Sequence, residues 1–184
     1  VLRILHSRTV PVPPLAGRRP EDVFAAFARD KGAMLLLSDG RRQADHSFLC
    51  LHPAAILRLD GQQGRLVMPG RTAAAADPLD FITAFVRANR HRAPAGQFAA
   101  GAAGYLSYDY RTRIERVPCA NPGAKGLPDA YFAFPGIILA FRHNTAAWTC
   151  TRIAHAWNGA PLPESPTAAV VIKRALDPPD LPFP

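Results

Sequence analysis

Cysteine is sparse in this 184-residue chain, and its three copies are an odd number. Cys50, Cys119 and Cys150 stand far apart with no C-x-x-C pair, which argues against a disulfide framework and against a zinc site. Cys50, inside the apolar run from Phe48 to Leu51, reads as a buried free thiol. Glutamate is equally thin. Glu21, Glu115 and Glu164 are the only ones, and no two are spaced to converge on a magnesium ion or to act as an acid–base pair. Glu115 lies among arginines, where ion pairing within the segment is the expected role. No stretch is apolar over the length a membrane span needs, and the opening Val1 to Leu5 lacks the long apolar core of a signal peptide. A soluble cytoplasmic protein is expected. Also missing are a G-x-x-x-x-G-K-S/T phosphate loop, an H-E-x-x-H helix and a G-x-S-x-G elbow.

What the chain does have is apolar content of 48 % against 20 % charge, enough for a buried core. Its net charge of +8 comes mostly from arginine. Arg18, Arg58, Arg71, Arg87, Arg111, Arg142 and Arg152 are scattered rather than gathered in a tract, so a solvated surface is expected and a nucleic-acid partner is not. The 19 prolines bunch near Pro11 to Pro14 and from Pro161 onward. The bunching predicts a globular body over 1–160 and a proline-rich linker over 161–184, interrupted by a weak strand from Ala168 to Ile172.

Strands are predicted at Leu2 to Val10, Ala33 to Leu37, and Ser47 to Leu51, the last closed by His52-Pro53. Ile56 to Leu59 and Arg65 to Met68 form a hairpin around Asp60-Gly61. Further strands fall at Ala99 to Tyr108 and Ala130 to Arg142, and Trp148 to Ile153 alternates like an edge strand. Helices are predicted over Arg19 to Arg29 and from Asp77, with Asp77 as N-cap and Pro78 in the first turn; Leu79, Ile82, Phe85, Val86 and Asn89 follow at helical spacing. Gly101-x-x-Gly104 suits close backbone packing better than phosphate. His46 and His52 would share a strand face if the strand were regular, but Asp45 points the other way and no metal set is completed. His143-Asn144 reads as a turn. The fold class is α+β: an antiparallel sheet with helices packed on one side.

Four blocks in order resemble a known family. Phe98 to Asp109 resembles an F-x-G-G-x-x-G-Y-x-x-Y-D hallmark and is followed by Arg113-Ile114-Glu115 and Pro118. Leu127 to His143 looks like an L-P-D-x-x-F strand that ends in F-D-H. Ala33 to Ser38 and Ser47 to Pro53 resemble the paired strands that open component I of aminodeoxychorismate and anthranilate synthases. The A-M-L-L-x-S form is similar to the aminodeoxychorismate (p-aminobenzoate, folate) branch; anthranilate enzymes usually read L-L-E-S. The resemblance implies the N-terminal, non-catalytic half of a two-sheet architecture. It also implies a parent enzyme that aminates chorismate, with ammonia from a glutamine amidotransferase subunit and Mg2+ held in a C-terminal chorismate-binding domain whose motifs this chain lacks. By the same resemblance a tryptophan pocket, a feedback site in the anthranilate branch, would use Leu36, Leu37 and Ser38, with Asp45, His46, Ser47 and Phe48 opposite. Leu37 replaces the family glutamate, Asp45 stands where arginine is common, Ala100 replaces a glycine, and Gly136 and Arg142 replace acids. The alternatives are the anthranilate branch itself, a free-standing amino-acid-binding module, and a basic nucleic-acid-binding protein.

Overall fold

The computed structural model describes residues 1–40, 45–75, 77–90, 98, 100–115 and 126–177. Ala99, Pro118, Cys119 and the last residues of the expected linker lie outside them. The spine is a pair of long antiparallel strands, β3 (His46–Asp60) and β7 (Ala130–Arg142), joined from His46↔Arg142 to Leu59↔Ala130. Around it the sheet runs β1 (Leu2–Pro11), β8 (Ala147–Trp157), β7, β3, β4 (Gln63–Met68), β5 (Arg71–Ala75). Three short strands attach to this path: β2 (Met34–Leu36) to β3, β6 (Ala103–Leu106) to β7 and β9 (Ala160–Pro161) to β8. Every pairing is antiparallel. The hairpin between β3 and β4 closes at Asp60↔Gln63, as the Asp-Gly pair predicts.

The sequence reading ended a strand at His52-Pro53 and began another at Ile56, whereas β3 runs through both. The ladder with β7 is irregular between Pro53 and Ala55, and His52 has φ 47°. Proline is tolerated at such a bulge because no regular ladder bond needs its missing N–H. The slip also exchanges the faces of the strand. Leu49 and Leu51 enter one core with Ile137 and Leu139, while Ala55 and Leu57 enter another with Phe134 and Ile138. His52 follows the slip: its ring meets Phe27 edge-on in the first core, while His46 stacks on Phe48 beside the second. The expectation that the two histidines share a face fails for that reason.

Helices serve both cores, and α3 (Arg111–Ile114) is one short turn after β6. On one face lie α1 (Pro20–Ala25), with its buried Val23 and the following Phe27, and α4 (Ala168–Leu176), with Val171 and Ala175. On the other, α2 (Pro78–Asn89) sets Phe85 against Leu2 and Ile4 of β1 and Leu66 and Met68 of β4. Those strands stand near opposite ends of the sheet path, so the sheet curls around α2. Asn89 fastens this curl, accepting the Ile4 N–H at 2.8 Å and donating to the Phe85 carbonyl at 2.7 Å. The antiparallel α+β architecture is as expected, with its helices divided between the faces.

Two further expectations are corrected. The segment from Trp148 belongs to β8, which lies inside the sheet between β1 and β7 rather than at its edge. Ala168 to Ile172 is helical, not extended. Thr167 caps α4 through the Val170 N–H, Val171 and Ala175 stand one turn apart on the buried face, and Arg174 grips Asp30 through two bonds of 2.7 and 2.8 Å. A short apolar run does not distinguish strand from buried helix by pattern alone. The body of the fold therefore includes residues beyond 160.

Candidate functional site

The residues expected around a pocket lie where β2, the start of β3 and the end of β7 meet. Leu36 stands opposite Phe48 in the β2–β3 register. Ser47 is fully buried; its Oγ accepts the Ser38 N–H at 3.0 Å and lies 2.8 Å from His143 Nε2. Ser38 Oγ in turn accepts the Gly40 N–H at 3.1 Å. Gly40 has φ 70°, and a Cβ there would stand 2.9 Å from His143 Cγ, so only glycine lets the chain pass under the imidazole. Phe141 meets the His143 ring edge-on at 5.0 Å.

Asp45 clamps the turn after β7. Its carbonyl accepts the His143 N–H at 2.9 Å, its Oδ1 accepts the Asn144 N–H at 3.3 Å, and its Oδ2 lies 3.9 Å from Arg142 Nε. Arg142 Nε also donates to His46 Nε2 at 3.2 Å, and the His46 ring stacks on Phe48 at 5.9 Å. Asp45 and Arg142 were noted separately as departures from the family pattern, one an acid for a base and the other a base for an acid. In space they form one ion pair.

Five of the seven expected residues, Ser38, Asp45, His46, Ser47 and Phe48, are thus brought together. Leu36 flanks them, and Leu37 is 54 % exposed. His143 and Gly40 complete the cluster and were missed as members of it. The signal was the register: once Ser47 pairs with Phe141, the residue two beyond Phe141 returns to Ser47.

The chemistry available is limited. Ser47 and His143 stand at the distance of a nucleophile and its base. Full burial of the hydroxyl and the Ser38 N–H on its oxygen make this pair a structural one. Burial pushes the Cys50 thiol up to about 12 and the Cys150 thiol to about 11, so both stay protonated and unreactive at neutral pH. Among the described residues no three His, Cys, Asp or Glu side chains converge as metal ligands. Near Glu115, Arg111 bonds and stacks on Tyr108, and Arg113 reaches the Gly61 carbonyl and Asp77; Arg116 lies outside the described residues.

Gly104 of the hallmark block lies on Tyr131 and Phe132, where a Cβ would collide with the Tyr131 carbonyl and stand 2.7 Å from Phe132 Cα. The G-x-x-G segment is therefore a close-packing device, as the sequence predicted. Beside it opens an apolar cleft of about 630 Å³, lined by Met34, Leu35 and Leu36 of β2, by Tyr105 and Tyr131, and by Leu127. No helix among the described residues is long and apolar enough to cross a membrane.

No protein-family model matches this sequence. Curated relatives do. Component 1 of anthranilate synthase from Cereibacter sphaeroides is 28 % identical over 149 residues, 77 % of this chain and 29 % of the relative. The Thermus thermophilus protein of the same name is 31 % identical over 125 residues, 67 % of this chain and 27 % of the relative. That from Mycolicibacterium smegmatis is 30 % identical over 147 residues, 76 % and 28 % respectively. A crystal structure of anthranilate synthase component I from Streptococcus pneumoniae matches 82 % of this chain and 32 % of its own, with TM-score 0.46 and 21 % identity. The three curated relatives support the anthranilate synthase component I family for this chain, at modest identity and over part of its length, and do not single out aminodeoxychorismate synthase. The chain spans less than a third of each relative.

Proposed function

We propose that this chain is the N-terminal, non-catalytic domain of a chorismate-aminating enzyme of the component I family. It supplies scaffold and subunit surface to a C-terminal chorismate-binding domain that holds Mg2+ and draws ammonia from a glutamine amidotransferase subunit. The observation that carries this reading is the similarity of the sequence itself, in its blocks and along its length. The four family blocks occur in order from Met34 to His143, and three proteins with one name align over two thirds or more of the chain.

Two branches remain for the product. The relatives' shared name favours anthranilate. Leu37, in place of the glutamate usual in that branch, favours 4-amino-4-deoxychorismate and the folate route. The experiment is genetic. The gene that carries this chain is placed in a tryptophan auxotroph lacking component I and in a p-aminobenzoate auxotroph. Rescue of one strain names the branch, and rescue of neither, with the protein expressed, removes the enzyme reading. A free-standing amino-acid-binding module is the remaining alternative. The paired Asp45 and the committed Ser38 and Ser47 leave little at this cluster to receive an amino acid's ammonium or carboxylate.

A further inference from the structure

A second cleft, of about 560 Å³, opens where the turn between α1 and β2 lies against the bulge of β3. Arg29 and Lys31 of the turn stand on one side of it and His52 of the bulge on the other. Its floor is apolar. Ile56 and Val67, opposite one another in the β3–β4 register, form it with Pro53. They point away from the second core, which takes their neighbours Ala55, Leu57, Leu66 and Met68. The turn is fixed in place: the Asp30 N–H meets the Phe27 carbonyl at 2.9 Å and the Ala33 N–H meets the Asp30 carbonyl at 3.0 Å. Gly32, at φ 78°, lies so near the bulge that a Cβ would stand 2.8 Å from Pro53 Cγ and 3.1 Å from Ile56 Cδ1.

The charges of this cleft do not balance. Its one acidic wall residue, Asp30, is held by both terminal nitrogens of Arg174 at 2.7 and 2.8 Å. Lys31 is exposed and enters no ion pair among the described residues, and Arg29 adds a second positive charge. The His52 ring is half-buried, and neither of its nitrogens is hydrogen-bonded among the described residues. Its backbone, at φ 47°, has a conformation that non-glycine residues adopt rarely and that collects at ligand sites. We propose that the cleft binds a small organic carboxylate with an apolar body, the carboxylate facing Lys31 and the His52 ring and the body lying on Ile56, Val67 and Pro53. An inorganic anion would leave the floor in water, and a neutral apolar molecule would leave the cationic rim unanswered. The site needs only this cleft and holds independently of the component I reading.

The test is a titration of the whole-gene product with benzoate, its histidine rings isotope-labelled and the His52 resonance assigned by its loss in His52→Gln. That signal reports this cleft and no other carboxylate site of a longer protein. Benzoate should shift it saturably, with a Kd of about 1 mM. It should also raise the His52 pKa, which burial and Arg174 hold below its ordinary value, because a neighbouring anion favours the charged ring. Benzamide, with the ring but no charge, and phosphate, with charge but no apolar body, should each need about five-fold more ligand or higher. Lys31→Gln, at an exposed turn position, should weaken benzoate about three-fold and leave the ligand-free His52 resonance where it was. Absence of a saturable shift would overturn the proposal, as would an unchanged benzoate affinity in Lys31→Gln. Phosphate binding as tightly as benzoate would reduce the cleft to a general anion patch, and benzamide doing so would reduce it to an apolar hollow; either result sinks the carboxylate site.

Discussion

At the scale of single residues, His155 is the most exposed to conditions. It lies on β8 at 2 % exposure with neither ring nitrogen in good hydrogen-bonding geometry to a described residue, and burial lowers its pKa from 6.5 to about 4. Above pH 6.5 the ring is neutral in folded and unfolded chains alike. As pH falls from 6.5 toward 4 the unfolded chain takes up the proton and the folded one does not, so stability drops, by about 3 kcal/mol at the limit. Denaturant titrations at pH 7, 5.5 and 4.5 should show this fall, and His155→Leu should flatten it. An acid limb that survives in His155→Leu would assign the effect elsewhere. The Asp45–Arg142 pair predicts a smaller effect. Both partners are partly exposed, so Asp45→Arg or Arg142→Asp alone should cost about 0.5 to 1 kcal/mol, and the double exchange should recover most of it. A double-mutant cycle by chemical denaturation measures the coupling.

Elements show which local rules the fold obeys. Asp77 accepts the Leu79 N–H at 2.9 Å at the start of α2, takes the Tyr110 hydroxyl at 2.6 Å and lies 3.7 Å from Arg113. One carboxylate therefore ties the helix to the segment after β6, and Asp77→Ala should cost about 2 kcal/mol, beyond an ordinary cap, by thermal or denaturant unfolding. Gly104→Ala should be worse, because its methyl has no room against the β7 backbone; loss of folded protein on expression, or a fall in the unfolding midpoint, is the readout. The cap, the hairpin and the close-packed glycine were legible because each is set by neighbours in sequence. The continuity of β3 through Pro53, the interior place of β8 and the helix at 168–176 were not, because each is decided by a distant partner: β7 for the first, β1 for the second, and Asp30 with the first core for the third. The same divide holds at the site. Ser38, Ser47 and Asp45 could be named from their blocks, whereas His143 needed the register.

Over the whole molecule, α4 decides where the body ends. Val171 and Ala175 are buried in the first core with Trp148 and Phe27, and Arg174 stacks over Phe27 at 4.8 Å. A chain ending at Ala160, the boundary the proline clusters suggest, should lose about 3 kcal/mol or more and bind a hydrophobic dye. Sharp melting of the 1–160 chain would make α4 an accessory.

The central claim is that these residues scaffold a chorismate-aminating enzyme without performing its chemistry, and purified proteins test it most directly. Supplied with chorismate, Mg2+ and ammonium, the product of the whole gene should form anthranilate or 4-amino-4-deoxychorismate by chromatography, and the 184-residue chain alone should form neither. Turnover of chorismate by the short chain, or none by a folded whole-gene product, would contradict the account.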